Sequence, residues 1–231
     1  MINVLDWGYD KTAIDAAIQA ALSVPSGNTI YFPKTGRGYN YLGANLDIPA
    51  RIRLRGDGTG CTPLTLSHSL RFVGLGEKSS IEGMTLQHQT DRSTGIGILI
   101  RGSRRIRVTE VAIYGFNVGL QMDCENDLAS EGNLVESLEI RDAFDGIHLK
   151  SKAGQHVGYN LFRDLFVVGS VQYPNLDIEG WGFYMNPNGG PLDNNTVLGG
   201  IIARCKTGNL NINGTTFTCV GVNADEVRDA D

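Results

Sequence analysis

Residues 133–150, NLVESLEIRDAFDGIHLK, form one unit of a repeat that runs through most of the chain. Apolar residues fall at Val135, Leu138 and Ile140, and a glycine-led apolar segment follows at 146–149. Successive units start 27, 27, 27 and 35 residues apart, and their first apolar positions are Ile81, Val108, Val135, Phe162 and Val197. A period of this length, with strand-like alternation inside each unit, predicts a solenoid of stacked β-strands.

The spacing inside the unit predicts where the chain bends. The step of three residues from Val135 to Leu138 does not fit one straight strand, whose inward residues are two apart. We therefore expect a bend between two strands at this point. In the glycine-led strand that follows, Ile147 and Leu149 are expected to point inward, with His148 and Lys150 outward.

Asparagine recurs immediately before the first strand of three units, at Asn133, Asn160 and Asn195. Stacked asparagine side chains at a corner can hydrogen-bond along the solenoid axis and satisfy backbone groups there. Three strands per coil, a period of about 27 residues and asparagine corners together predict an all-β, single-stranded parallel β-helix. The chirality of parallel crossover connections makes a right-handed helix the expectation.

The N-terminal segment contains the only convincing helix, residues 12–23 (TAIDAAIQAALS). Thr12 and Asp15 resemble a capping box at its start. Its predicted apolar face consists of Ile14, Ala17, Ile18, Ala21 and Leu22. An open solenoid end exposes strand edges and an apolar core, so this helix is expected to cover that end.

A single β-helix domain over residues 1–231 accounts for the whole sequence. Its predicted parts are an N-terminal strand and capping helix (1–30), irregular first coils (31–80), regular coils (81–222) and a tail (223–231).

Composition excludes several functional classes. The net charge is −5 and the pI is about 5.4, which argues against a nucleic-acid partner. The basic run Arg101–Arg107 is interpreted as a solvated face. No apolar run is long enough to span a membrane, and we expect no classical signal peptide at the N-terminus. The four cysteines form no C-x-x-C pair, and we expect buried free thiols in a chain made in a reducing compartment.

The opening of the chain resembles a known superfamily. The segments that carry the resemblance are VLDWGYDKTAIDAAIQAAL (4–22), GNTIYFPKTGRGYNY (27–41) and LDIPARIRLRGDG (46–58). They are similar to the start of the pectate-lyase-like right-handed parallel β-helix proteins, found in phage tailspikes and bacterial polysaccharide-degrading proteins. The resemblance implies a polysaccharide partner, a homotrimer, and a location in the phage tail or outside the cell. We expect either a compact member or a portion of a longer tailspike.

Stacked strands would present two outward columns of side chains, along which a polysaccharide could lie. The first column contains Leu99, Gln121, His148 and Tyr184, and the second contains Arg101, Asp123, Lys150 and Asn186. A solvated sheet face would give a similar pattern. The predicted substrate-binding residues are Arg101, Gln121, Tyr184, Asn186, Tyr173 and Trp181. The aromatic ones are predicted to stack on sugars, with core packing as the alternative for Trp181.

Two chemistries remain open for this groove. Asp123 and Asp145 are candidates for hydrolysis by paired carboxylates, because adjacent coils are close enough for acids to flank a glycosidic bond. The segment FDGIHL (144–149) resembles the paired-aspartate site of polygalacturonases, with Phe144 in place of the first aspartate. Asp145 would alternatively be only a corner residue before Gly146.

The second chemistry is β-elimination on a uronic acid. It needs a base that takes the proton next to the carboxylate and a positive group that stabilises the enolate. His148, Lys150 and Tyr184 are the candidates, and an ordinary exposed lysine is the alternative for Lys150.

An acidic set in the insertion 124–132 is the one candidate metal site. Asp123, Glu125 and Asp127 offer oxygen ligands of the kind Ca²⁺ prefers, although a solvated acidic loop has the same composition. We predict no cofactor, with Ca²⁺ at these residues as the alternative.

The predicted function is therefore that of a polysaccharide-degrading β-helix protein, a hydrolase or lyase of the phage-tailspike depolymerase type. The alternative is a non-catalytic β-helix that binds a glycan or stiffens a phage tail or cell surface.

Overall fold

The computed structural model describes residues 1–24, 28–73, 77–90, 94–124, 128–169, 178–213 and 216–224. Within them a short 3-10 helix, Val4–Asp6, precedes one α-helix, α1, at Lys11–Leu22. The strands before the regular coils are β1 (Ile2–Asn3), β2 (Thr29–Phe32), β3 (Tyr39–Tyr41), β4 (Leu46–Asp47), β5 (Arg53–Gly56), β6 (Pro63–Leu66) and β7 (Leu70–Val73). Those of the regular coils are β8 (Ser80–His88), β9 (Ile96–Arg101), β10 (Arg107–Tyr114), β11 (Val118–Asp123), β12 (Ser130–Glu131), β13 (Leu134–Arg141), β14 (Asp145–Lys152), β15 (Val157–Gly158), β16 (Leu161–Val168), β17 (Trp181–Asn188), β18 (Asn195–Ala203), β19 (Gly208–Asn211) and β20 (Phe217–Asn223).

The strands are arranged as three parallel sheets that share one axis. The first sheet runs β1-β2-β5-β8-β10-β13-β16-β18-β20, with β3 and β6 joined to it through β8. The second runs β4-β7-β9-β11-β14-β17-β19, and the third is the short pair β12-β15. Each strand pairs with the equivalent strand one coil before and after, so the predicted parallel β-helix is confirmed. The third strand of a coil is reduced to two residues.

The register follows the sequence repeat. Val108 lies opposite Ile81 on one side and Val135 on the other. Phe162 continues the same row and lies opposite Val197, so the strand register is preserved across the 35-residue unit. These apolar rows are fully or almost fully buried and form the core of the solenoid.

The predicted bend is present, but it lies inside one strand and not between two. Within β13, Ser137 has a φ of 52°, in the left-handed region, between Val135 and Leu138. The equivalent residues of neighbouring coils share this backbone, with φ of 50° at Glu110 and 51° at Asp164. A bulge repeated in the regular coils keeps neighbouring strands paired, and it accounts for the three-then-two spacing of the inward residues.

The asparagine ladder is confirmed. Asn160 Oδ1 accepts hydrogen bonds from Asn133 Nδ2 at 2.9 Å and from the Asn133 backbone N–H at 3.1 Å. Asn160 Nδ2 donates to Asn195 Oδ1 at 2.9 Å. All three side chains are buried. Each coil therefore offers the next one an internal hydrogen-bond partner at the same corner.

Helix α1 packs against the first strands, as predicted. Its buried residues are Ala13, Ile14, Ala17, Ile18 and Ala21. The prediction was wrong for Leu22, which is exposed, and for the cap. The N-cap is Asp10, whose side chain accepts a hydrogen bond from the Ala13 N–H at 3.0 Å. The N-cap therefore lies two residues before Thr12, the N-cap that the sequence pattern predicts.

The four cysteines are free thiols. Cys124 and Cys205 are buried, as expected. The expectation was wrong for Cys219, which is exposed, and for Cys61, which is half-buried. Among the described residues, no helix has the length and apolar character that a membrane span requires.

Candidate functional site

The outward residues of the second sheet, here called the second-sheet face, align as predicted. Gln121 lies opposite Leu99 and His148, and His148 lies opposite Tyr184. Leu99, Gln121 and His148 are nevertheless buried, although they lie on the side of the strands away from the core. This part of the face is therefore a covered surface, and not the open groove that a solvated sheet would give.

The second column contains a charged network centred on Asp123. Asp123 lies opposite Arg101, whose Nε and Nη2 donate to its two carboxylate oxygens at 2.7 Å each. Gln121 Nε2 donates a further hydrogen bond to Asp123 Oδ2 at 2.8 Å. Both carboxylate oxygens of Asp123 are thus occupied by neighbouring side chains, so Asp123 is not a free carboxylate in the groove.

The structure separates the two predicted catalytic acids. Asp145 lies opposite Val118, at the start of the strand row in which Asp123 comes last. Five residues of extended chain correspond to about 16 Å, well beyond the spacing at which two carboxylates flank a glycosidic bond. The predicted pairing of Asp123 with Asp145 is therefore wrong.

Asp145 has a structural contact instead. Its Oδ1 accepts a hydrogen bond from the Trp181 N–H in the next coil at 2.8 Å. Burial raises the pKa of Asp145, and this hydrogen bond only partly opposes the effect. These contacts match the alternative interpretation of Asp145 as a corner residue.

His148 has the most unusual environment on this face. It is 6% exposed, and its ring lies 4.6 Å from that of Tyr184, centroid to centroid. Neither ring nitrogen has a hydrogen-bond partner among the described residues. Burial, with a smaller contribution from Lys150, lowers the pKa of His148 to about 4. The imidazole is therefore neutral at neutral pH, and both of its nitrogens are buried.

Aromatic side chains continue from His148 into the next coil. Trp181 and Tyr184 are stacked, with ring centroids 6.2 Å apart and an interplanar angle of 22°. Trp181 lies opposite Gly208, and a Cβ at that glycine would approach the indole to 2.2 Å. Trp181 is thus partly fixed by packing, while Tyr184 lies against the imidazole. Tyr173 lies outside the described residues.

A cavity of about 330 Å³ opens at the ends of these strands. It is lined by Arg101, Asp123, Cys124, Lys150, Ser151, Lys152 and Asn188. Arg101 is neutralised by Asp123, whereas Lys150 and Lys152 form no ion pair within the described part of the chain. The described lining therefore carries an excess of positive charge, which suits an anionic ligand group.

Sequence reasoning missed Lys152 and Asn188 in this cavity. Lys152 continues the outward phase of His148 and Lys150, and Asn188 lies opposite it in the neighbouring strand. Extending the two outward columns by one more position would have found both. Asn186 lies opposite Lys150, as predicted.

The calcium hypothesis has little support from the described residues. Glu125 and Asp127 lie outside them, and Asp123 is committed to Arg101 and Gln121. No group of three or more His, Cys, Asp or Glu side chains in the described ranges is placed to hold a metal ion.

Comparisons with known proteins report on the fold. No protein-family model matches the chain, and no curated protein matches it. Among solved structures, a catalytic domain of a GH87 alpha-1,3-glucanase in complex with nigerose superimposes with a TM-score of 0.57 at 16% identity. The match covers 96% of this chain and 44% of that one, so the chain spans less than half the length of this relative. The A-module of the Azotobacter vinelandii mannuronan C-5 epimerase AlgE4 matches with a TM-score of 0.43 at 14% identity, over 98% of this chain and 96% of that one.

The stacked parallel sheets and the glucanase match define the fold. The chain is a right-handed parallel β-helix, like the glucanase domains on which it superimposes. At 16% identity the match shows the fold alone.

Proposed function

We propose that this protein binds an acidic polysaccharide along the second-sheet face and acts on it. The observation that carries the proposal is the positively charged cavity, in which Lys150 and Lys152 have no ion pair in the described structure and lie next to a neutral histidine. Cations that are not neutralised by the protein can bind the carboxylates of a uronic acid. Carbohydrate ligands have precedent on this fold, because the GH87 glucanase of similar structure is described with nigerose.

The side chains present fit elimination better than hydrolysis. Hydrolysis by two carboxylates needs a free pair, and Asp123 is held by Arg101 while Asp145 lies at the other end of the strand row. In elimination, neutral His148 takes the proton from the carbon next to the sugar carboxylate. The electron pair forms a carbon–carbon double bond as the glycosidic C–O bond breaks, and Tyr184 protonates the departing oxygen.

Lys150 would stabilise the negative charge that develops on the carboxylate during proton removal. It lies two residues from His148 on the same side of the strand, and its charge already lowers the pKa of the imidazole. Because the Tyr184 ring lies against the imidazole, substrate entry requires Tyr184 to move away from His148. The chemistry thus assigns a base, an acid and an electrostatic stabiliser to three neighbouring side chains.

The test is product formation on a panel of acidic glycans, including polygalacturonate, alginate and bacterial capsular polysaccharides. We expect unsaturated uronates, detected by their ultraviolet absorbance, and a loss of at least about a hundredfold in kcat for His148→Gln. Lys34→Gln, at an exposed position away from the cavity, serves as the matched control and should keep wild-type turnover. New reducing ends without unsaturated products would show hydrolysis and refute the elimination mechanism.

A second candidate is a glycan-binding β-helix without catalysis. It is favoured by the burial of both His148 ring nitrogens and by the saturated contacts of Asp123. The discriminating result is glycan binding by the wild type without turnover, retained in the double variant Asp123→Asn, Asp145→Asn.

We propose further that the protein belongs to a phage tail, or acts outside the cell, as a homotrimeric tailspike-like depolymerase. The resemblance of residues 1–60 to tailspike β-helices supports this, and exposed apolar side chains such as Phe144 and Val220 offer surfaces for association. Light scattering of the purified chain tests the oligomeric state, and a monomer would contradict the trimer.

A further inference from the structure

A larger cavity lies on the outward face of the first sheet, away from the second-sheet face. It has a volume of about 710 Å³ and is lined by residues of four successive coils, from Arg53 in β5 to Leu134 and Glu136 in β13. Three coil spacings correspond to about 14 Å, the length of an extended ligand and not of a single small ion. We call this cavity the first-sheet groove.

The first-sheet groove carries cations that the protein does not neutralise. Arg53, Lys78, Arg105 and Arg107 line it and are exposed, and none of them forms an ion pair within the described residues. Two carboxylates share the groove, and one of them, Glu136, is already paired with Arg163 at 3.0 Å. The remaining balance is clearly positive on a chain whose net charge is −5.

The groove continues around the corner that precedes the first-sheet strands. A second cavity of about 360 Å³ shares Arg105 and Gly132 with it and adds Glu77, Arg104, Glu131 and Tyr159. Arg104 and Glu131 form an ion pair at 2.9 Å. These residues hold equivalent places in successive coils, because Lys78, Arg105, Gly132 and Tyr159 follow one another at 27-residue intervals with φ of 63°, 57°, 64° and 56°. Along the solenoid axis, two cations are therefore followed by a glycine with no side chain and then by an aromatic ring, with successive positions about 4.8 Å apart.

Tyr159 presents a ring to the solvent. Tyr159 is 61% exposed, and its ring meets that of His156 edge to face, with ring centroids 6.3 Å apart. His156 is itself held by Glu131 at 2.8 Å. An exposed aromatic ring fixed in this way is a stacking surface for the apolar face of a sugar.

We propose that the first-sheet groove and this corner form a second glycan-binding site, which takes an acidic polysaccharide lying along the solenoid axis. The cations bind the carboxylates or sulfates of the chain, Ser80, Thr109 and Glu82 bind its hydroxyls, and Tyr159 stacks against one ring. The groove and the corner also contain four carboxylates, Glu77, Glu82, Glu131 and Glu136, of which Glu131 and Glu136 are paired with cations. The chain's net charge of −5 disfavours a nucleic acid as the polyanion. The inference shares the ligand class of the proposed function but does not depend on catalysis at the second-sheet face.

Carbodiimide cross-linking tests both sites in one experiment. The reagent couples a ligand carboxylate to a lysine amine, and mass spectrometry then identifies the modified lysine. Oligomers of galacturonate and of alginate are the probes, and neutral dextran oligomers are the control. We expect an adduct on Lys78 in the first-sheet groove. An adduct on Lys150 reports the second-sheet face separately, so failure of either site is visible without the other.

Affinity measurements by calorimetry with the same oligomers complete the test. Arg105→Gln with Arg107→Gln should weaken binding at this site at least about tenfold, because each arginine loses a charge-assisted contact. Lys34→Gln with Arg37→Gln removes the same charge elsewhere on the surface and should change the affinity less than about twofold. Tyr159→Ala should weaken binding several-fold, and Tyr159→Phe should not.

Three outcomes would overturn the inference. One is the absence of a Lys78 adduct with every acidic oligomer, and another is wild-type affinity in the Arg105, Arg107 double variant. The third is equally tight binding of single-stranded DNA with the same loss in that variant, which would show a site that responds to charge alone.

Discussion

Asn160 gives the sharpest test of how the coils are held together, because its side chain bonds to the coils on both sides. Replacement by alanine removes its side-chain bonds to Asn133, Asn195 and the Ser130 carbonyl, and it leaves the buried Asn133 N–H without an acceptor. An orphaned buried donor costs about 1–3 kcal/mol, and each of the three other lost hydrogen bonds costs about 1 kcal/mol. We therefore expect Asn160→Ala to lower the free energy of unfolding by about 4–6 kcal/mol, a large part of the stability of a typical domain.

Urea unfolding followed by circular dichroism measures this loss, provided that the m-value is unchanged. Asn40→Ala is the matched control: Asn40 is exposed in β3, and the change should stay within about 0.5 kcal/mol. Amide hydrogen exchange at Asn133 should also accelerate in the Asn160 variant. A loss below about 1 kcal/mol, with normal protection of Asn133, would refute the structural role of the ladder.

Three further predictions concern packing, pH and thiol reactivity. Gly146→Ala places a Cβ 2.4 Å from the Gly182 carbonyl oxygen and should lower stability by about 1–3 kcal/mol in urea titrations, whereas Gly36→Ala meets nothing within 4 Å and should be neutral. Because the pKa of His148 falls from 6.5 to about 4 on folding, the unfolded state binds more protons between these values, so stability should decrease by about 3 kcal/mol as the pH falls from 6.5 to 4. His148→Gln should remove this contribution to the slope, and an unchanged pH profile would contradict it. A thiol reagent should modify exposed Cys219 in the native protein, while Cys205, whose pKa burial raises to about 12, should react only after unfolding; rapid native labelling of Cys205 would contradict its burial.

The architecture could be predicted because, in a solenoid, residues at the same position in successive coils recur at a regular spacing in the sequence. The 27-residue period fixed which side chains stack, and the alternation within each strand fixed which face they occupy. The same period excludes the pairing of Asp123 with Asp145. The two strands that carry these residues are offset by 27 positions, so the position one coil after Asp123 is Lys150, and the coil neighbour of Asp145 is Val118.

The environment of the candidate site could not be predicted in the same way. The sequence shows that His148 points away from the core, but its burial and its unpaired ring nitrogens depend on neighbours in other coils. The basic run Arg101–Arg107 was interpreted as a solvated face for a similar reason. Only the fold shows that Arg105 and Arg107 join Arg53 and Lys78, which are distant in sequence, in one groove.

The long unit between Phe162 and Val197 has a consequence for how such a protein can diversify. It contains 35 residues, eight more than the 27 of the unit before it, yet Phe162 still lies opposite Val197 and Val167 opposite Ile202. The register between coils therefore depends only on the residues within the strands. Extra residues in the connection between two strands leave the pairing of the strands unchanged. Evolution can therefore lengthen, shorten or exchange a connecting segment, and so change the ligands that the surface binds, without altering any core residue.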